Sequence, residues 1–153
     1  MRKSLILILV FTLLGCMQSK DSLTESVETY FERENVHFDC QHATMLVIPV
    51  NGCPGCVADG IKFVMENKDR FSREQNKNTV VFTGIVSKKL LYRRLDKIDF
   101  NRMSVVIDTT EKYLVDFEAC DYPLVLRLKS GRIVKAENQY SNPNFYEELR
   151  NNL

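Results

Sequence analysis

The stretch VNGCPGCVADG, residues 50–60, places Cys53 and Cys56 two residues apart around Pro54 and Gly55. Two thiols at that spacing can exchange disulfides, hold half of a metal site, or close a structural bridge. The exchange reading has a definite physical basis. The apolar run ATMLVIPV (43–50) predicts a central strand that stops at the turn residues Asn51 and Gly52. Val57, Ile61, Val64 and Met65 then recur at helical spacing. Cys53 thus falls at the first turn of a helix, where unbonded N–H groups and the positive end of the dipole favour a thiolate. The thiolate is the nucleophile, so a lowered pKa sets reactivity. Cys56 lies close enough to attack a mixed disulfide formed at Cys53. Pro54 fixes a backbone angle and lacks an N–H that would go unbonded, and Gly55 leaves space for a bulky protein substrate.

The elements that must position these residues follow from periodicity. VHFDC (36–40) alternates apolar and polar residues and predicts a half-buried strand. TVVFTGIV (79–86) predicts a second buried strand, and SVVIDTT (104–110) a short one. Between them SKKLLYRRLDKI (87–98) predicts a helix capped by Ser87, with Leu90, Leu91 and Leu95 inward and a solvated basic face. EKYLVDFEAC (111–120) reads as helical or irregular. YPLVLRLKSGRIVKAENQY (122–140) predicts a hairpin turning at Ser130-Gly131, and Asn142-Pro143 opens a last helix. Gly60 weakens the helix after Cys56 by about 1 kcal/mol against Ala, so packing must hold it. Phe31, Phe63, Phe71 and Phe82 are expected in the core. The sum is an α/β domain with a mixed central sheet flanked by helices.

The first fifteen residues are of another kind. Arg2 and Lys3 precede an uncharged, apolar run to Leu14, which suits a signal peptide better than a membrane span. Leu13-Leu14-Gly15-Cys16 resembles the lipobox of bacterial lipoproteins. The resemblance implies cleavage before Cys16, lipid on Cys16, and a protein of the bacterial envelope facing the periplasm or exterior. On this reading residues 16–35 are the lipidated Cys and a polar tether, with a helical turn near Val27 to Phe31, and residues 36–153 are the domain. Removing Arg2 and Lys3 leaves 19 basic side chains against 20 acidic ones. That balance gives no electrostatic reason to expect nucleic acid, and it leaves the acyl chains as the membrane anchor.

Cys53-Pro54-Gly55-Cys56 between a buried strand and a helix, the order of elements, and Tyr122-Pro123 opening the hairpin together resemble the thioredoxin-like superfamily. The nearest branch is the exported TlpA-like thiol–disulfide oxidoreductases. The resemblance covers about residues 36–153. It implies a thioredoxin-like fold, protein thiol and disulfide substrates, an external electron donor and no cofactor. It also implies a cis peptide before Pro123, with Tyr122 and Pro123 beside the reactive sulfur holding substrate. Two positions depart from the pattern. Gly52 stands where the family usually has Trp, and Val47 where its members carry a buried acid that takes a proton from the second cysteine. Some relatives place the acid three residues after that cysteine, which nominates Asp59; a solvated helix carboxylate is the alternative.

Cys40 and Cys120 remain after Cys16, Cys53 and Cys56. A structural Cys40–Cys120 disulfide and a third, resolving thiol at Cys120 both stand, since four cysteines allow three pairings. Two rival functions stand as well. Cys53 and Cys56 could bind copper or zinc with His37, His42 or Cys120, although neither histidine follows the pair. A non-catalytic thioredoxin-like binding lipoprotein would keep the pair as a fixed disulfide.

Overall fold

The computed structural model describes residues 21–39, 43–74, 77–95, 101–115 and 121–153. The expectations for Cys16, Cys40, His42 and Cys120 lie outside them. Among the described residues five strands form one sheet in the order β3-β2-β1-β4-β5. β1 (Thr44–Pro49), β2 (Asn78–Thr83) and β3 (Val105–Ile107) run parallel. β4 (Leu124–Lys129) runs antiparallel to β1, and β5 (Arg132–Asn138) antiparallel to β4. The hairpin turns through Ser130 (φ 53°) and Gly131 (φ 74°), both left-handed as a type I′ turn requires.

Alternation along the central strands builds a core on each face. Leu46, Ile48, Val80 and Phe82 pack with Val57, Phe63 and Val64 of α2 (Pro54–Glu66) and with Phe145 and Leu149 of α4 (Phe145–Asn152). Met45, Val47 and Val81 face the other way, onto Val27 and Phe31 of α1 (Ser22–Arg33). Phe31, Phe63, Phe71 and Phe82 are all buried, as expected.

Four stretches differ from expectation. Residues 22–33 form a complete helix, so the folded part begins well before residue 36. Asp21 caps α1 through a 2.8 Å bond from the Thr24 N–H, and burial of Val27 and Phe31 adds about 1.5–3 kcal/mol each. Residues 36–39 form no strand. Val36 instead closes a Schellman motif, its N–H on the Phe31 carbonyl at 2.9 Å and Asn35 left-handed at φ 51°. The Phe38 ring then meets Phe31 edge-on at 5.3 Å, so the alternation of Val36 and Phe38 serves the core without a ladder. In α3 (Lys88–Arg94), Leu91 is buried but Leu90 is 57% exposed, because a helix this short presents one narrow stripe inward. Finally, Asn142 does not cap α4. Its side chain accepts from the Asn144 N–H at 2.9 Å, and this local turn delays the helix to Phe145.

Candidate active site

Strand β1 ends at Pro49, and the Gly52 N–H returns to the Pro49 carbonyl at 3.0 Å in a tight turn. Cys53 is the N-cap residue of α2, with Pro54 in the first turn. Its own N–H donates to the Asp121 carbonyl at 2.9 Å, tying the helix start to the segment that leads into β4. That bond explains Gly52. A Cβ there would collide with the Asp121 backbone, so no larger side chain fits while the two chain segments stay this close.

Both thiols are free, half-exposed and within 2.6 Å of each other. Cys53 makes no cap bond as a thiol. The Cys56 thiol and the N–H groups of Cys56 and Gly55 face it, and these lower its pKa below the ordinary 9.0, against opposing contributions from desolvation and, smaller, from Asp121. Cys56 goes the other way. Partial burial, the hydrogen bond to Cys53 and the charges of Cys53 and Asp59 push it up to about 11. One turn of helix therefore holds two thiols of opposite tendency, an acidic outer one and a proton-retaining inner one.

The remaining candidates sort by position. Pro54 and Gly55 are exposed, and open space surrounds Gly55, as a substrate-facing residue needs. Asp59 is exposed one turn after Cys56, near enough for its charge to act on that thiol. Val47 is buried on the α1 face, among apolar neighbours. Tyr122 has its hydroxyl pKa raised by desolvation, to which the charges of Cys53 and Cys56 add. Pro123 is buried beside it. The expected cis peptide is a correction: no peptide bond among the described residues is cis. The trans form is the intrinsically preferred one, and it leads straight into β4 with the Pro123 carbonyl accepting from the Gln139 N–H at 3.0 Å.

Three contributors were not legible as site residues. Asp121 acts through its backbone carbonyl, which carries no side-chain signal. Tyr140 stacks on Tyr122 at 5.0 Å and is 73% exposed, which makes an aromatic pair beside the thiols. Tyr146 of α4 lies over Gly60, its hydroxyl 3.1 Å from Gln139 Oε1 and 3.5 Å from the Cys56 carbonyl. A Cβ at Gly60 would stand 3.2 Å from that hydroxyl. The glycine that weakens the helix thus admits the tyrosine.

His37 lies in a groove with Phe38 and Arg132 near the hairpin turn. Among the described residues no three His, Cys, Asp or Glu side chains gather as a metal site would require. No helix among them is long and apolar enough to cross a membrane. Comparison with protein-family models, with curated proteins and with solved structures finds no match to this chain.

Proposed function

We propose that the chain is an exported, thioredoxin-like thiol–disulfide oxidoreductase, held in a bacterial envelope by lipid on Cys16. The observation that carries this reading is the placing of two free, partly exposed thiols at the start of α2, with Cys53 at the N-cap and no side-chain cap bond; the opposed shifts in their acidity support it. Strand order and the Asp121–Pro123 segment against the dithiol support the thioredoxin-like assignment.

The chemistry is two displacements. The Cys53 thiolate attacks one sulfur of a substrate disulfide. That S–S bond breaks, and one substrate sulfur leaves as a thiolate and takes a proton. Cys56 then loses its proton and attacks the Cys53 sulfur, which releases the second substrate thiolate and closes Cys53–Cys56. Two electrons pass from the dithiol to the substrate. Asp59 is the acceptor proposed for the Cys56 proton. A dithiol donor outside this chain resets the pair, and the reverse direction oxidises substrate thiols.

Equilibration of the mature domain in dithiol buffers, with thiol trapping, tests the reading. A potential of about −120 to −270 mV is expected for a working oxidoreductase. A value below about −300 mV without exchange sinks it in favour of a non-catalytic binding module.

A further inference from the structure

The chain enters the fold at the same end of the sheet as the dithiol. β1 runs toward Cys53, and its Val47 pairs with Leu124 at the start of β4. Leu124 in turn pairs with Asn138 at the end of β5. The start of α1 lies against that end of β5. The Thr24 hydroxyl takes the Ala136 N–H at 2.9 Å, and Asp21 to Leu23 line a cleft with Glu137, Ser141 and Asn142. A path of chain neighbours and two contacts then joins that cleft to the thiols. Ser141 follows Tyr140, which stacks on Tyr122, and Tyr122 follows Asp121, whose carbonyl holds the Cys53 N–H. The other end of α1 lies at the far end of the sheet, where Phe31, Val36 and Phe38 meet the Ser130-Gly131 turn.

A second observation concerns the surface of the dithiol end. Val86, 88% exposed, and Tyr140, 73% exposed, are the most open large apolar side chains among the described residues. Both belong to it, since Val86 follows β2, whose Thr83 pairs with Pro49. Lys88 and Lys89 follow Val86 after Ser87.

We infer that this end of the sheet faces the lipid surface, and that the dithiol serves disulfides of proteins held at the same membrane. The inference rests on lipidation of Cys16 and on the exchange reading above. Four residues lie between Cys16 and Asp21, and the five steps from one to the other reach about 17 Å at full stretch. A tether that short, leaving the fold beside Ser141, keeps Cys53 close to the bilayer. A tether leaving the opposite end would interpose the whole length of the sheet. Exposed Val86 and Tyr140 with two lysines suit the headgroup layer, where apolar and cationic side chains lie together.

The test uses the lipidated full chain in vesicles of phosphatidylethanolamine and phosphatidylglycerol. Exchange is timed with one disulfide peptide, either free in solution or acylated and bound to the same vesicles. A second protein carries about twenty added Gly/Ser residues between Lys20 and Asp21, which leaves anchor and thiols intact. The short-tether protein is expected to prefer the bound peptide. The long tether is expected to cut exchange with that peptide by about tenfold, as effective concentration falls with length. Faster exchange on lengthening means that the dithiol points away from the membrane and overturns the inference alone. Equal rates with both peptides overturn it too. No exchange with either peptide defeats the oxidoreductase reading itself, and a chain that does not stay on the vesicles defeats the anchor; the inference falls with either.

Discussion

Asp108 and Cys53 both give up a proton more readily than an isolated side chain, in opposite surroundings. Asp108 is buried, which by itself would raise its pKa. The Tyr113 N–H, the Thr83 hydroxyl and the N–H and hydroxyl of Thr110 outweigh that and hold it below 3.8. Every lone-pair direction is used, and the carboxylate locks the loop after β3 to β2. Cys53 is half-exposed, and what favours its thiolate is another thiol and two N–H groups at a helix start that no side chain caps. A fully satisfied anion is a structural part. An anion stabilised from one side only keeps its other side for a reaction partner. Asp21 and Ser87 close α1 and α3 with side-chain caps, whereas α2 begins at Cys53 and α4 at Asn144 without one, and of these two open starts only that of α2 carries a thiol.

The sharpest way to break this contrast is at the thiols. Cys53→Ser is expected to abolish disulfide exchange, and Cys56→Ser to stop the reaction at a mixed disulfide visible by mass. Ultraviolet titration of the thiolates in the parent domain is expected to show one step below pH 9.0 and one near 11. Cys56→Ser should remove the alkaline step and raise the other, because Cys56 is the main cause of the acidity at Cys53. Urea unfolding of either variant in the reduced state should change little. Asp108→Ala should do the reverse: lose about 3 kcal/mol in urea unfolding, with thiol titration unmoved. The pH dependence has a definite sign. A carboxyl depressed in the folded state stabilises fully above its unfolded value near 3.8, and that contribution fades as pH falls through the folded value. The acid-side loss of stability should therefore be shallower in Asp108→Asn.

Gly52→Ala joins the two regions. It pushes on the Asp121 backbone, so a loss of about 2 kcal/mol should come with slower exchange, measured on the same preparation. An unchanged exchange rate would mean that the Asp121 contact is only structural. The smallest effect is expected at Gly55→Ala. Nothing stands within 4 Å of a Cβ there, so stability should rise by about 0.5 kcal/mol as the unfolded chain loses freedom. Slower exchange with a protein substrate, but not with a small disulfide, would locate the docked partner over that residue.

What the sequence reveals follows the range of the forces involved. Local signals read well. ATMLVIPV is β1, Ser87 caps α3 with a bond from the Leu90 N–H, and Ser130-Gly131 turns the hairpin. The dithiol at a strand-to-helix junction is equally local. Two stretches misled because a distant contact decided them. Residues 22–33 look polar, and they are helical because Val27 and Phe31 meet Ile133 and Ala136 of β5. Residues 36–39 alternate like a strand, and Phe38 follows Phe31 instead of a ladder. In the site, Tyr146 and the Asp121 carbonyl reach Cys56 and Cys53 from far along the chain, through contacts that no spacing rule encodes.

The bond from the Ala136 N–H to the Thr24 hydroxyl spans 112 residues, nearly the whole described chain. It sets a kinetic order. As the chain is made, α1 appears first, and Ile133 and Ala136, the β5 part of the surface that buries Phe31, arrive last. Closing so long a loop is entropically costly before any contact repays it, and such topology slows folding. Until then the core on the α1 face of β1 and β2 stays incomplete. Truncation after β4 should therefore leave a collapsed, loosely packed species, because the first helix and the last hairpin complete one core together or not at all.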